Sequence, residues 1–162
     1  MRPLITILSL LLLVPGISGY GKVLRTGRGE QFEKITQALQ AAQAHDTILV
    51  HAGTYREGNI IITKPVSLIG KNHPVIDGQK KFENISVKAD SVLIDGFRII
   101  NSGTSSIVDY AGVRICNRHF VTISNNILED CFFGIYSQYG INCTISGNKL
   151  TAHQVEEQQS GN

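Results

Sequence analysis

The stretch that decides the fold is Ile123–Leu128, which reads ISNNIL, together with Ile145–Leu150, which reads ISGNKL. Both follow the order apolar, polar, Gly or Asn, two unrestricted residues, apolar, and Ile94–Ile99 (IDGFRI) follows it too. Leu68–Val75 (LIGKNHPV) shares the opening, with Gly two residues after the first apolar residue. The four copies begin 26, 29 and 22 residues apart. A drifting repeat of this length, built from short strands and Gly or Asn turns, is typical of a solenoid.

Aligning the copies predicts which side chains lie above one another. Shifts of 22 and 29 residues give four columns: Val92–Val121–Cys143, Ile94–Ile123–Ile145, Ile99–Leu128–Leu150 and Asn126–Asn148. Rows of Val, Ile and Leu then fill the interior. The two Asn residues are expected at a turn, where Asn tolerates left-handed backbone and stacked amides can hydrogen bond in a ladder. The sequence therefore predicts an all-β fold, a right-handed parallel β-helix of about five coils.

One segment has a helical period instead. Phe32, Ile35, Leu39 and Ala42 recur at helical spacing between about 30 and 45. The open end of a solenoid exposes core side chains and unpaired strand edges, which need a cover. We therefore expect an amphipathic helix at about 30–45 that caps the N-terminal end of the β-helix.

The ends of the chain differ from its middle. Residues 1–19 have the layout of a secretory signal peptide, with Arg2, an apolar run at Leu4–Val14, and cleavage expected after Ser18 or Gly19. The run is shorter than the roughly 17–25 residues of a membrane span. We therefore expect export across the inner membrane into the periplasm, with no span in the mature chain. The β-helix domain is predicted at 22–152. The polar residues 153–162 carry no strand pattern and are expected to be unstructured, at the truncation point of a longer protein.

Bulk properties exclude some partners and raise one question. Fifteen Lys and Arg against thirteen Asp and Glu leave a net charge of +2. This near balance gives no electrostatic reason to expect nucleic acid or an anionic membrane as a partner. The three cysteines are an odd number, so at least one thiol is free or paired with another chain in an oxidising compartment.

The segment from Gly27 to about Gly161 resembles the N-terminal part of the NosD family, the periplasmic β-helix proteins of nitrous oxide reductase maturation. The stretches that carry the resemblance are FEKI at 32–35, AL at 38–39, DTI at 46–48, GTY at 53–55, GNI at 58–60, KPVSLIG at 64–70, VIDG at 75–78 and GIY at 134–136. The resemblance implies a non-catalytic accessory protein. It would work with an ABC transporter to build the copper–sulfur centre of nitrous oxide reductase, with copper as the associated metal.

The wider group of such domains also includes carbohydrate-binding proteins and sugar hydrolases, so a secreted carbohydrate-binding or carbohydrate-processing β-helix is the alternative. Six clustered aromatic residues could either stack on sugar rings or cover a turn and part of the core: Tyr110, Phe120, Phe132, Phe133, Tyr136 and Tyr139. A lyase or hydrolase of acidic sugars needs several carboxylates on one outward face. The acids considered form no such set: Asp77, Asp90, Asp95, Asp109, Glu129 and Asp130. We therefore predict no catalytic residue and no enzyme activity.

Cys131 and His153 are the candidate metal ligands. They follow Leu128 and Leu150 by three residues each, so the 22-residue register places them one above the other. Thiolate and imidazole are suitable ligands for Cu(I). The simpler interpretation is a turn cysteine and a surface histidine. The other four histidines show no ligand spacing.

Overall fold

The chain folds as a right-handed parallel β-helix with one short helix, as predicted. The computed structural model describes residues 21–105 and 107–151. Successive strands of one coil belong to three different sheets, and each strand pairs in parallel with the equivalent strand of the next coil. The core is therefore a narrow column enclosed by three sheets.

The strands of each sheet stack in chain order. Sheet 1 has six strands: β1 (Val23–Thr26), β2 (Thr47–Val50), β5 (Ser67–Gly70), β8 (Leu93–Asp95), β11 (Thr122–Ser124) and β14 (Thr144–Ser146). Sheet 2 has five: β3 (Thr54–Tyr55), β6 (Val75–Asp77), β9 (Arg98–Ile100), β12 (Ile127–Glu129) and β15 (Lys149–Thr151). Sheet 3 has four: β4 (Ile60–Ile62), β7 (Ile85–Val87), β10 (Ala111–Cys116) and β13 (Phe133–Gln138).

The predicted register is confirmed. Ile123 pairs with Ile94 on one side and Ile145 on the other, and Leu128 lies between Ile99 and Leu150 in the same way. Parallel strands lie about 4.8 Å apart, so like side chains in one column pack directly against each other. The solenoid has about six turns rather than five. The extra turn begins with β1, which the sequence showed only as a short apolar pair, and which pairs with β2 over its whole length.

The predicted asparagine ladder forms at the turn between sheets 1 and 2. Asn126 donates from Nδ2 to Oδ1 of Asn148 at 3.0 Å, and its own Oδ1 accepts the N–H of Phe97 at 2.9 Å. The left-handed backbone lies one residue earlier than predicted, at Asn125 (φ 55°) and Gly147 (φ 66°). The ladder thus provides hydrogen-bond partners for buried backbone groups at a turn, where no neighbouring strand can provide them.

The helix, α1 (Ile35–Ala41), is shorter than the predicted 30–45. Its N-terminal side is held in a loop, because Phe32 bridges Thr26 in parallel and exchanges backbone hydrogen bonds with Arg25 and Gly27. Its C-terminal side ends where Ala42 adopts an extended backbone. Ile35, Ala38 and Leu39 are buried, and α1 packs against β1, β2 and β4. The helix therefore covers the N-terminal end of the core, as predicted.

Two charged side chains, one before β4 and one after it, hydrogen bond to the two ends of α1. The Glu57 carboxylate accepts the N–H groups of Ile35 and Thr36 at 2.8 and 2.9 Å, and the Thr36 hydroxyl at 2.6 Å. Lys64 donates from Nζ to three carbonyl oxygens near the other end, those of Leu39, Gln40 and Ala42. A negative group at the N-terminus and a positive group at the C-terminus both suit the helix dipole.

The predictions for residues 1–19 and 153–162 fall outside the described residues and stay predictions. Within the described part of the chain, no helix combines the length and the apolar character that crossing a membrane requires.

Candidate functional site

The outer face of sheet 3 carries a straight row of side chains. Ile61, Ser86, Arg114 and Tyr136 occupy equivalent outward positions on four successive coils. Because neighbouring strands lie about 4.8 Å apart, the row runs parallel to the solenoid axis. We call the trough along this row the sheet-3 groove.

The sheet-3 groove contains two joined depressions of about 460 and 360 Å³. Both are lined by Asn59 and Ile61, which makes them continuous. The larger one lies beside α1 and is also lined by Thr36, Leu39, Gln40, Thr63 and Lys64. The smaller one is also lined by Phe82, Glu83, Ser86, Lys88, Val108, Tyr110 and Arg114. The groove thus passes from amide and hydroxyl groups near the helix to aromatic and charged groups further along.

A hydrogen-bonded ion pair forms the floor of the smaller depression. Arg114 donates from Nε to one carboxylate oxygen of Glu83, and the Ser86 hydroxyl donates to the other. Asn59 donates from Nδ2 to the Ser86 oxygen at 2.9 Å. A terminal nitrogen of Arg114, Nη2, donates to the backbone carbonyl of Asp109. Residues from β7 and β10, and from the segments that precede β4, β7 and β10, are therefore linked by hydrogen bonds across three coils.

The environment of Arg114 keeps it charged. Burial alone would lower the pKa of its guanidinium, but the hydrogen bond and negative charge of Glu83 outweigh burial and raise that pKa above its usual value. Glu83 is only 6% exposed. A buried carboxylate without a partner is strongly unfavourable, so Arg114 and Glu83 depend on each other.

The aromatic residues divide between two places. The Arg114 guanidinium lies 5.2 Å from the centre of the Tyr136 ring, and Tyr136 packs at a tilt on Phe133 at 5.6 Å. Tyr110 lines the smaller depression. Tyr139, in contrast, is 73% exposed and lines neither depression. Part of the predicted cluster therefore borders the groove and part does not, and none of the six rings is fully buried.

The predicted metal ligand Cys131 packs against the core. Its thiol lies 3.5 Å from the carbonyl of Glu129 and 3.7 Å from that of Ile99. Burial raises the pKa of this thiol to about 11, whereas a metal ligand must be the thiolate. His153 lies outside the described residues, so the pairing of the two stays a prediction. The described residues contain no group of three or more potential ligands. None of the three cysteines forms a disulfide.

The acids weighed in the sequence lie elsewhere or make other contacts. Asp77 pairs with Arg56 at 3.0 Å and Glu129 pairs with Arg98 at 2.6 Å, while Asp95 accepts hydrogen bonds from neighbouring Ser and Asn side chains. The carboxylate of the groove is Glu83, which the sequence analysis missed because it precedes β7 and belongs to no repeat. Aligning Ile85 with Val113, a shift of 28 residues, would have placed the Glu83 coil beside that of Arg114.

Comparison with known proteins gives structural likeness alone. Neither a protein-family model nor a curated protein matches the chain. The pectin methylesterase PemA from Erwinia chrysanthemi is similar in structure, with a TM-score of 0.50 and 17% identity over 82% of this chain and 53% of PemA. A pectin methylesterase from Aspergillus niger has a TM-score of 0.49 and 16% identity over 91% of this chain and 64% of that enzyme. The chain thus spans less than two thirds of either structure, and the likeness to PemA shows the fold.

The prediction that the chain is not an enzyme is wrong on this comparison. PemA has the same coiled architecture and is an enzyme. The six carboxylates weighed for that prediction also did not include Glu83, which lines the groove. The lack of several carboxylates on one outward strand face is therefore no argument against catalysis in this fold.

Proposed function

We propose that the chain is a carbohydrate-binding and carbohydrate-processing β-helix protein whose glycan ligand lies in the sheet-3 groove. The observation that carries the proposal is the row from Ile61 to Tyr136, with the Glu83–Arg114 pair at its floor. The structural likeness to a pectin methylesterase supports this function better than a role in copper-enzyme maturation.

The shape and chemistry of the groove suit a linear glycan. Outward positions recur about every 4.8 Å along it, so successive units of a linear polymer can contact successive coils. The rings of Phe82 and Tyr110 line the smaller depression and offer apolar surface on which sugar rings can stack. Asn59, Thr36 and Gln40 supply amide and hydroxyl groups for sugar hydroxyls at the other end.

The processing step that the groove favours is ester hydrolysis. Glycosidases commonly use a pair of carboxylates, and Glu83 is the one carboxylate among the described residues that line the two depressions. A single carboxylate can act as general base or nucleophile towards an ester. Arg114 beside it can stabilise the negative charge that develops on the carbonyl oxygen. For this chemistry the Ser86 hydroxyl must leave the Glu83 oxygen to which it donates.

Binding is tested with a panel of soluble polysaccharides by calorimetry or affinity electrophoresis. Phe82→Ala and Tyr110→Ala should weaken the affinity of the best ligand at least about tenfold, because each removes stacking surface from the smaller depression. Tyr139→Ala is the matched control and should leave the affinity unchanged. No binding to any glycan, or an equal loss in all three variants, would contradict the proposal.

Turnover is tested by following acid release from methyl- and acetyl-esterified polysaccharides. Glu83→Gln should lower the rate by at least about a hundredfold, since it removes the base and keeps the side-chain shape. Glu129→Gln alters another Arg-paired carboxylate, on sheet 2, and should leave the rate unchanged. Equal rates for Glu83→Gln and wild type would show that Glu83 is not the catalytic group.

The resemblance to the NosD family supports a second candidate, an accessory role in copper-centre assembly. Several residues that carry the resemblance have structural contacts that account for them. Tyr55 donates its hydroxyl to the carbonyl of His51 at 2.9 Å, and Lys64 binds the carbonyls at the end of α1. Because burial raises the pKa of the Cys131 thiol, Cu(I) retention by Cys131→Ser should equal that of wild type. A large fall in Cu(I) affinity would support the second candidate.

A further inference from the structure

We infer that the ligand of the sheet-3 groove is an acidic glycan, and that Arg114 and Lys88 select it by binding a carboxylate of the sugar chain. This inference rests on the proposed function, because it names the substrate class of the same groove.

The residues that line the groove give it a positive surface. Three of them are cationic and one is anionic: Lys64, Lys88, Arg114 and Glu83. Before Ser86 moves away, Glu83 is nearly buried and both of its carboxylate oxygens accept hydrogen bonds from Arg114 and Ser86, so its negative charge is compensated by protein donors. Lys64 is engaged with α1, whereas Lys88 is exposed and forms no ion pair with any described residue. The charge available to a ligand is therefore that of Lys88 and Arg114.

Arg114 keeps donors free for an anion. A guanidinium has five N–H donors, and its charge is permanent. Nε donates to Glu83 and Nη2 to Asp109, while Nη1 has no acceptor within the described part of the chain. The Tyr136 ring supports the guanidinium from one face, and the side chain is 19% exposed. Contacts on three sides fix its orientation before any ligand arrives, which reduces the entropy cost of binding.

Lys88 and Arg114 face the same space. Ser86 is the register partner of Arg114, and Lys88 follows Ser86 by two residues, so it lies diagonally across from Arg114 on the same outer face. Both residues line the depression of about 360 Å³. A carboxylate in this depression lies between two cations, whereas a neutral sugar there would leave Lys88 without an anion and Nη1 of Arg114 without a charged acceptor.

Three other arginines among the described residues form ion pairs, Arg56, Arg98 and Arg118, and none of them lines the groove. Arg98 pairs with Glu129 at 2.6 Å on an exposed face of sheet 2, and Arg56 pairs with Asp77 at 3.0 Å. In each of these two pairs the arginine contacts a single carboxylate. Arg98 is therefore a matched control for Arg114, because it is also an arginine paired with a glutamate on an outward strand face.

The experiment measures the affinity of the full chain for oligogalacturonate, for its methyl-esterified form and for a neutral galactan. Wild type should bind the carboxylated form at least about tenfold more tightly than the neutral galactan, and added salt should reduce the difference because it screens the charges. Lys88→Met should reduce this preference several-fold, and Arg98→Met should leave it unchanged. Arg114→Met would leave the buried Glu83 carboxylate without its positive partner. It is therefore combined with Glu83→Gln to keep the protein folded. The double variant should lose most of the preference.

The outcomes separate the two proposals. No binding to any of the three glycans contradicts the proposed function itself. Equal binding of carboxylated and neutral glycans leaves the proposed function in place and overturns the acidic ligand. Equal binding of dextran sulfate or single-stranded DNA and oligogalacturonate overturns carboxylate selection in favour of a general polyanion surface. An unchanged preference in Lys88→Met and in the double variant overturns the assignment of these residues.

Discussion

Asp46 shows how a single side chain joins the first two coils. Its carboxylate accepts the N–H of Lys22 at 2.7 Å and the N–H of Gln43 at 2.8 Å. These two backbone hydrogen bonds lower the pKa of Asp46, with smaller help from the charges of Lys22 and Lys64, against the opposing effect of burial. The side chain thus holds the turn that follows α1 to the segment that precedes β1.

The lowered pKa makes the contribution of Asp46 depend on pH. A carboxylate whose folded-state pKa lies below its unfolded value stabilises the protein above about pH 4, and the contribution disappears as pH falls through the folded pKa. Asp46→Asn should therefore be less stable than wild type at pH 7, and the difference should shrink below about pH 4. Urea unfolding between pH 7 and pH 2.5 measures this. Asp109→Asn, an exposed acid, is the control, and a difference that grows on acidification would contradict the account.

For single residues, the contacts that could be predicted from the sequence are those that recur in the repeat. Asn126 and Asn148 occupy the same place in two copies of the repeat, so their ladder follows from alignment alone. Glu83 and Arg114 lie on different coils and have no counterparts in the other copies. Their contact depends on the length of the connection before β7, which the repeat does not specify. The candidate site was therefore missed, although the core columns were predicted.

Among the elements, α1 depends on side chains outside itself. It has seven residues, and Lys34 at its N-cap makes no side-chain hydrogen bond. A helix this short is unstable alone, so its end groups must be satisfied by other parts of the chain. Glu57 and Lys64 do this from either side of β4. The sequence period predicted the helix but not its ends, because the ends are set by these contacts.

Removing either partner of α1 should destabilise the protein. Glu57→Ala leaves two helix N–H groups without an acceptor and should cost about 1–2 kcal/mol. Lys64→Met keeps the aliphatic stem, removes the positive group, and should cost about 0.5–1 kcal/mol. Lys71→Met is the control, since Lys71 is exposed, and should lie within about 0.5 kcal/mol of wild type. Urea midpoints compare the variants, and a loss in Lys71→Met as large as that in Lys64→Met would argue against the capping role.

At the scale of the whole molecule, equivalent positions differ in burial according to their coil. Ile123 is 0% exposed, because coils lie on both sides of it. Ile145 occupies the same column in the last described coil and is 50% exposed. The same column therefore places one isoleucine in the interior of the solenoid and another at its last described coil, so the two can be compared without a change of residue type.

This gradient predicts graded effects of the same substitution. Ile123→Asp should cost roughly 4 kcal/mol or more, since it buries an unpaired charge. Ile145→Asp should cost about half of that or less, because half of the side chain already contacts solvent. Thr122→Asp, on the outward side of β11, should cost least. Thermal unfolding ranks the three variants, and equal losses at Ile123 and Thr122 would show that the inward column is wrong.

The fold of the whole molecule was predictable because the repeat constrains every coil in the same way. The function was not, because the outer face carries different residues on each coil and a fold hosts many activities. Stretches such as Lys64–Gly70 resemble one family through residues that build the N-terminal coils. Likeness in those residues is informative about architecture, and the residues that differ between coils on sheet 3 hold the chemistry.

The proposed function places the glycan in the sheet-3 groove. Hydrogen–deuterium exchange with and without a saturating bound glycan tests it most directly, because every coil contributes peptides to the comparison. The account predicts slower exchange on binding at residues 59–63, 82–88, 108–116 and 133–138, with no change in β9, β12 and β15 of sheet 2. Protection centred on sheet 2, or spread evenly over all three sheets, would contradict it.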